Sequence, residues 1–209
     1  MLHRPRVAAT LLFALLLAAA TPVGVIQAAD ATALTPLNTN LIHNSGFESI
    51  RDDGSLKGWT VEGDVHAETF GTRSWPYPKY SDKYHGGKRY LACGKTSGSV
   101  SQSVPFNGHG VRHEYHLGAR LQVNFGGIIG HEIRVTLKAT GSGADGKGVK
   151  LRVMDINNSY KKAFTSVMVP DGTTRLEVVV ELIRKPGASS CRMVADTVRL
   201  DVVKYPVGG

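Results

Sequence analysis

The chain predicts an all-β domain of the sandwich or barrel kind, and three observations predict it. Past residue 40 the dominant hydrophobic period is two. Gly, Asn, Asp and Pro clusters punctuate the apolar runs at short intervals, as at Asn107-Gly108, Gly141 to Gly148, Asn157-Asn158, Pro170-Asp171-Gly172 and Pro186-Gly187. No stretch of the same region carries a helical period of convincing length, and many short strands without helices make a sandwich or a barrel.

Taken in order, Tyr115 to Val123 sets Tyr115, Leu117, Ala119, Leu121 and Val123 against His116, Gly118, Arg120 and Gln122. His131 to Ala139 sets Ile133, Val135, Leu137 and Ala139 against Glu132, Arg134, Thr136 and Lys138. Thr174 to Leu182 sets Leu176, Val178, Val180 and Leu182 against Arg175, Glu177, Val179 and Glu181. Such alternation marks a strand with one buried and one wet face. Val149 to Asp155, Ala163 to Val169 and Met193 to Val203 are further strands.

The first residues read as a targeting signal and stand apart from the fold. His3, Arg4 and Arg6 precede an Ala/Leu run from Val7 to Ala20, and Thr21-Pro22, Gly24 and the small pair Ala28-Ala29 follow. That order is the secretory pattern, with cleavage expected after Ala28 or Ala29 and Ala20 as the alternative. The competing reading is an uncleaved anchor over Val7 to Ala29, against which Pro22, Gly24 and Gln27 count. Residues 1–29 are thus a signal peptide, 30–39 a short N-terminal tail and 40–205 one domain, long enough to bury a full core. The chain has 25 Lys+Arg against 17 Asp+Glu. Arg4 and Arg6 leave with the signal, so the mature chain carries 23 against 17, or +6. A basic exported protein suits anionic surfaces such as acidic glycans, lipopolysaccharide and cell-wall polymers, though the same charge serves solubility alone. Its basic residues are spread through the chain without a nucleic-acid motif, which with export excludes nucleic acid as the natural partner. Cys93 and Cys191 are the two cysteines. In an oxidising compartment one disulfide is expected; two buried free thiols are the alternative.

Several separated segments then fall into one ordered set: Asn40-Leu41, Asn44-Ser45-Gly46-Phe47-Glu48, Gly58-Trp59, Gly87 to Leu91, Ser101-Gln102-Ser103-Val104 and Asp196 to Leu200. Together they resemble the cellulose- and xylan-type carbohydrate-binding modules of the galactose-binding-domain-like class, across residues 40–203. The resemblance implies a two-sheet antiparallel β-sandwich, a jelly roll, with Trp59 as its core tryptophan. It also implies a structural Ca²⁺ held by Glu48 and Asp196 with backbone carbonyls. Strand parity adds to that by setting Asp196 on the presumed core face with Val198 and Leu200, where a carboxylate needs a partner. A turn-capping role or a pairing with Arg192 is the other account of Asp196.

Two surfaces are candidates for a ligand. Trp75, Tyr77, Tyr80 and Tyr84 crowd a proline-interrupted loop, Arg73 to His85, which departs from the common pattern of such modules. Flat rings stack on sugar faces, and neighbouring Asp82, Lys79, Lys83 and His85 supply hydrogen bonds; the same rings also serve to cover one end of the core. The second surface is the wet sheet face, where Arg120, Gln122, Arg134, Lys138, Arg152, Glu177 and Glu181 alternate away from the core, and whose basic character fits an anionic polysaccharide. His113-Glu114-Tyr115-His116 has the wrong spacing for a metalloprotease helix and reads as strand. The function expected is therefore a secreted, non-catalytic module binding extracellular or cell-envelope glycan. The rivals are a β-sandwich polysaccharide-degrading enzyme and a structural or adhesive envelope protein. Glu177 and Glu181, the best carboxylate pair for an enzyme, are about 13 Å apart along one strand face, wider than glycosidase geometries require.

Overall fold

The computed structural model describes residues 38–69, 87–107, 115–127, 131–141, 148–153, 161–191 and 193–206. The expected signal peptide, the aromatic loop Arg73 to His85, His113 and Arg192 lie outside the described residues. Among the described residues there are eight antiparallel strands: β1 (Thr60–Thr69), β2 (Arg89–Pro105), β3 (Tyr115–Gly127), β4 (Glu132–Gly141), β5 (Gly148–Val153), β6 (Lys161–Met168), β7 (Thr173–Ile183) and β8 (Met193–Pro206). They pair in the order β5-β4-β7-β2-β8-β3-β6, with β1 on the other edge of β2.

This order makes a curled sheet with two packed flanks, and β2 is the strand that turns the corner. Leu91 and Ala92 of β2 pair with Ala195 and Val194 of β8, whereas Gly98 to Pro105 pair with Leu182 to Arg175 of β7. Between those stretches the register against β1 jumps, with Gly63 opposite Gly98 and Val65 opposite Cys93, so residues 94–97 arch outward. The Asp64 carboxylate holds the arch by accepting the main-chain N–H groups of Thr96 (3.0 Å) and Lys95. Those two donors keep the Asp64 carboxyl below the usual carboxylate range.

The core lies between the flanks. Ile133, Val135, Leu137, Leu176, Val178, Val180 and Leu182 line one side, and Ala119, Leu121, Val123, Phe125, Leu200 and Val202 the other, all buried. The alternation in β3, β4 and β7 therefore predicts the described inward residues correctly; the side chains of Tyr115 and Leu117 lie outside the described ones. The disulfide Cys93–Cys191 joins β2 to the residues just before β8, beside the Leu91–Ala195 pairing.

The ordered motif residues prove to be a hydrogen-bonded clasp. Gln102, buried on β2, accepts the His43 N–H (2.7 Å) and donates to the carbonyls of His43 (2.9 Å) and Gly58 (2.8 Å). The Asn44 side chain accepts the Ser49 N–H and donates to the carbonyls of Ser49 and Lys57. Asn40 accepts the N–H groups of Ile42 and Leu200, and Asn38 and Leu41 donate to Val202 and Leu200, which fits residues 38–41 onto β8. Gly58, at φ +82°, takes a conformation that side chains disfavour and delivers Trp59 into the core. Trp59 packs on Phe47 with ring centroids 5.2 Å apart and donates its indole N–H to the Asn44 carbonyl.

One strand departs from its expected parity. Asp196 does not share the face of Val198 and Leu200. Met193 and Ala195 take the core positions before it, and Val198, Leu200 and Val202 take them after it. The reason is a β-bulge: Gln122 faces Arg199 and Asn124 faces Asp196, so β8 holds one residue more than β3 there, and Thr197 absorbs it at φ +48°. Asp196 falls in alternation with Val194, on the outer face, yet it is fully buried.

Candidate functional site

The wet faces anticipated as one surface separate into two. Arg134, Lys138, Glu177 and Glu181 lie on the β4–β7 flank. There Arg134 pairs with Glu132 (3.1 Å) and Glu181 (3.5 Å), and Lys138 pairs with Glu177 (3.1 Å). Arg134 and Lys138 thus engage the carboxylates of this flank, while Arg175 on β7 is exposed and enters no ion pair among the described residues. Pairs this exposed contribute little to stability.

Arg120 and Gln122 lie on the opposite flank, built from β1, the first part of β2, β8, β3 and β6. Register fixes their neighbours: Gln122 sits between Arg199 on β8 and Phe164 on β6, and Arg120 between Asp201 and Ser166. Gly118 sits between Val203 and Met168. Phe164 is 68 % exposed and Met168 59 %. An aromatic ring this open on a sheet face is uncommon, since water contact with a large apolar surface is unfavourable. Arg199 pairs with Asp201 at 2.9 Å, whereas Arg120 and Lys162 are exposed and enter no ion pair among the described residues. The face therefore combines an apolar platform, an amide and uncompensated cations. Glu68, Tyr90, His66, Ala92 and Val194 occupy its other end, on β1, β2 and β8, where Tyr90, Ala92 and Val194 pack together.

Phe164 is the residue that sequence reading missed. In β6 both alternating sets contain apolar residues, Ala163 and Val167 on one side and Phe164 and Met168 on the other. Only the packing of Ala163 and Val167 against the core identifies the outward set. Trp75, Tyr77, Tyr80 and Tyr84 lie outside the described residues.

Glu48 and Asp196 flank contacts of one turn. Val198, just past the bulge, donates to the Ser45 carbonyl (2.8 Å), and the Arg89 N–H donates to Glu48 Oε1 (2.8 Å). A side-chain carbon at Gly87 would lie 2.1 Å from that same oxygen, so Glu48 fills the space a glycine leaves. Asp196 Oδ1 accepts the Thr197 N–H (2.7 Å), and the Thr197 hydroxyl beside it is buried with no hydrogen-bond partner.

No family model matches the chain, and no curated protein is similar to it in sequence. Solved structures are similar in fold. The carbohydrate-binding module TmCBM61, solved in complex with β-1,4-galactotriose, superposes with a TM-score of 0.50 at 18 % identity, over 78 % of this chain and 97 % of that one. A Stig cyclase, Fisc from Fischerella sp. TAU, solved with an indole compound, gives 0.52 at 14 % identity over 81 % and 98 % of the two chains. The enzymatically active domain of bacteriophage CBA120 tailspike protein 4 gives 0.52 at 11 % identity, over 78 % of this chain and 21 % of that one. The chain thus has the jelly-roll fold that carbohydrate-binding modules have. The same fold carries a cyclase, so function rests on the site and not on the architecture.

Proposed function

We propose that the protein is a secreted, non-catalytic binding module for an anionic polysaccharide, and that the outer face of β3, β6 and β8 receives it. The observation that carries this reading is Phe164, an open aromatic platform with Gln122 at its side and Arg120 in the next row. Sugar rings present apolar faces edged by hydroxyls, and a platform with a few oriented polar groups is complementary to them. Uncompensated Arg120 and Lys162 favour carboxylate- or sulfate-bearing chains, Arg by a two-pronged contact. Secretion is supported by the signal pattern together with a formed disulfide. The non-catalytic part rests on the sequence, in which Glu177 and Glu181, the best carboxylate pair, are about 13 Å apart along one strand face.

The test is retention of the mature protein on a panel of anionic and neutral polysaccharides, followed by sizing of the recovered glycan. Intact anionic glycan is expected, with retention falling as salt rises. Shortened glycan would make the protein an enzyme, and retention on no polysaccharide would move the exposed Phe164–Met168 face to a protein interface.

A structural Ca²⁺ belongs to the same proposal. The residues present fit one: a fully buried carboxylate at Asp196, an unpartnered buried hydroxyl at Thr197 and the Glu48 carboxylate on the turn fixed to that bulge are all hard oxygen donors. Among the described residues no three His, Cys, Asp or Glu side chains converge, so carbonyls would complete the shell. The ion would tie the 44–48 turn to β8. Chelator is expected to lower the melting temperature and Ca²⁺ to restore it, since an ion at a hundredfold excess over its Kd adds about 2.7 kcal/mol. Asp196→Asn would abolish the difference between the two conditions. Identical melting with and without chelator would remove the ion from the account.

A further inference from the structure

We infer that two copies of this chain pair edge to edge through β6, antiparallel about a two-fold axis at Ser166, and so join their outer faces into one. The dimer stands on its own observations; only its use, a doubled platform for the polysaccharide, rests on the proposed binding face. Among the described residues the sheet has three free edges, β1, β5 and β6. Two of them carry devices that keep an edge from pairing. β1 is broken by the bulge between Gly63 and Val65 and bears Glu62, Asp64 and Glu68, and β5 is six residues long with Lys150 and Arg152 among them. β6 is different. It runs in unbroken register with β3 from Lys161 to Met168, and from Ala163 onward it has no charge, no proline and no bulge.

In an antiparallel strand the main-chain N–H and C=O of every second residue point to the same side. Half of these groups in β6 therefore bond to β3, and the other half reach the open edge, where a second strand completes them. The side chains match as well. Phe164 and Met168 are two of the three large apolar residues exposed among the described ones, and they lie four apart on β6. Opposite residues of an antiparallel pair share a face, so a two-fold at Ser166 sets each Phe164 opposite the partner's Met168. That contact takes apolar surface out of water on both copies, and a thioether against a ring is favourable in itself.

Charge selects a second copy and its direction. Lys162 near the start of β6 and Asp171 just past its end are both exposed, and neither enters an ion pair among the described residues. The same register lays Lys162 opposite the partner's Pro170, beside the partner's Asp171, and does so twice by symmetry. A parallel pairing in register would instead set each Lys162 against the partner's Lys162. The two-fold stands normal to the sheet, so both outer faces lie on one side. Four residues of rise and one strand spacing then put the two Phe164 positions about 14 Å apart. An edge of this length buries less than a standard interface of about 1,600 Å², so the dimer is weak and concentration-dependent. A polysaccharide lying across both platforms strengthens it, because its second contact is intramolecular.

Sedimentation of the whole mature protein at graded concentrations, without glycan, tests this. The mass should rise from one copy toward two. Asp171→Lys and Lys162→Asp should each weaken the dimer roughly 3- to 10-fold, since each disturbs two symmetric pairs, and the double variant should restore it. Ser166→Cys reads the register. Opposite residues of an antiparallel pair have Cα atoms about 4.5–5.5 Å apart, within reach of a disulfide. The native cysteines are already joined and buried, and Ser166 is exposed. Ser166→Cys should therefore cross-link under mild oxidation far faster than Lys162→Cys, whose two copies would lie roughly 26 Å apart. A mass of one copy at every concentration, with equal cross-linking of the two variants, would overturn the dimer. Polysaccharide retention by that monomer would leave the binding face standing. A dimer that the double variant does not restore and Ser166→Cys does not trap would overturn pairing through this edge. A dimer trapped by Ser166→Cys that retains no polysaccharide would uphold the pairing and overturn the binding face.

Discussion

Replacing Cys93 and Cys191 together with alanine is expected to cost about 4–5 kcal/mol of stability, the chain-entropy value for a loop of this length. The two residues are 98 apart in sequence, and the loop they close contains β3, β4, β5, β6 and β7. Without the bond, the first and last parts of the fold are held by the short pairing of Leu91 and Ala92 with β8, the Cys191 N–H to Gly94 carbonyl contact (3.1 Å) and the hydrogen bonds of residues 38–45 to β8. In a domain of this size the loss corresponds to a fall in melting temperature of roughly 10–20 °C. Thermal unfolding of the double variant, beside the wild type with and without reductant, reads it directly. A fall of only a degree or two would show that strand pairing already imposes the constraint.

Gln102→Ala is expected to cost about 3–5 kcal/mol, because it leaves the His43 N–H, the His43 carbonyl and the Gly58 carbonyl without their partner in a buried site. Those three bonds hold the turn that carries Asn44, Phe47 and Trp59 onto β2. Gln102→Glu should fail as well, since it keeps the acceptor but turns a carboxylate toward two carbonyl oxygens. Urea unfolding should show a lowered midpoint with an unchanged slope, the mark of lost stability without a change in the surface exposed. A midpoint within experimental error of the wild type would remove the clasp from the stability account.

These two cases also show where the sequence was legible. The inward residues of β3, β4 and β7 follow from alternation because each strand has one apolar and one polar set. The motif pieces Gly87 to Leu91 and Ser101 to Val104 are visible as separate signals, but nothing local shows that they are the two ends of one strand. That strand turns the corner through an arch capped by Asp64, a contact 31 residues away in sequence. Long-range pairing likewise separates Arg134 from Arg120 onto opposite flanks, although their strands look alike. Asp196 was misplaced because parity assumes an unbroken pleat, and a left-handed threonine breaks it; a β-branched residue gives no warning of such a conformation. Phe164 is hidden for another reason. Its strand has apolar residues on both faces, so only the packed structure tells the buried set from the exposed one.

The exposed ring on that outer face is the centre of the functional account, and a single comparison tests it most directly. Wild type and Phe164→Ala would be titrated with an anionic polysaccharide retained in the panel, with melting curves run in parallel. Phe164 is 68 % exposed, so its removal should leave the melting temperature nearly unchanged. Losing its stacking contact should weaken binding about tenfold or more, as removal of a partly buried aromatic implies. Equal affinity in the two proteins, at equal stability, would contradict the placement of the site on this face.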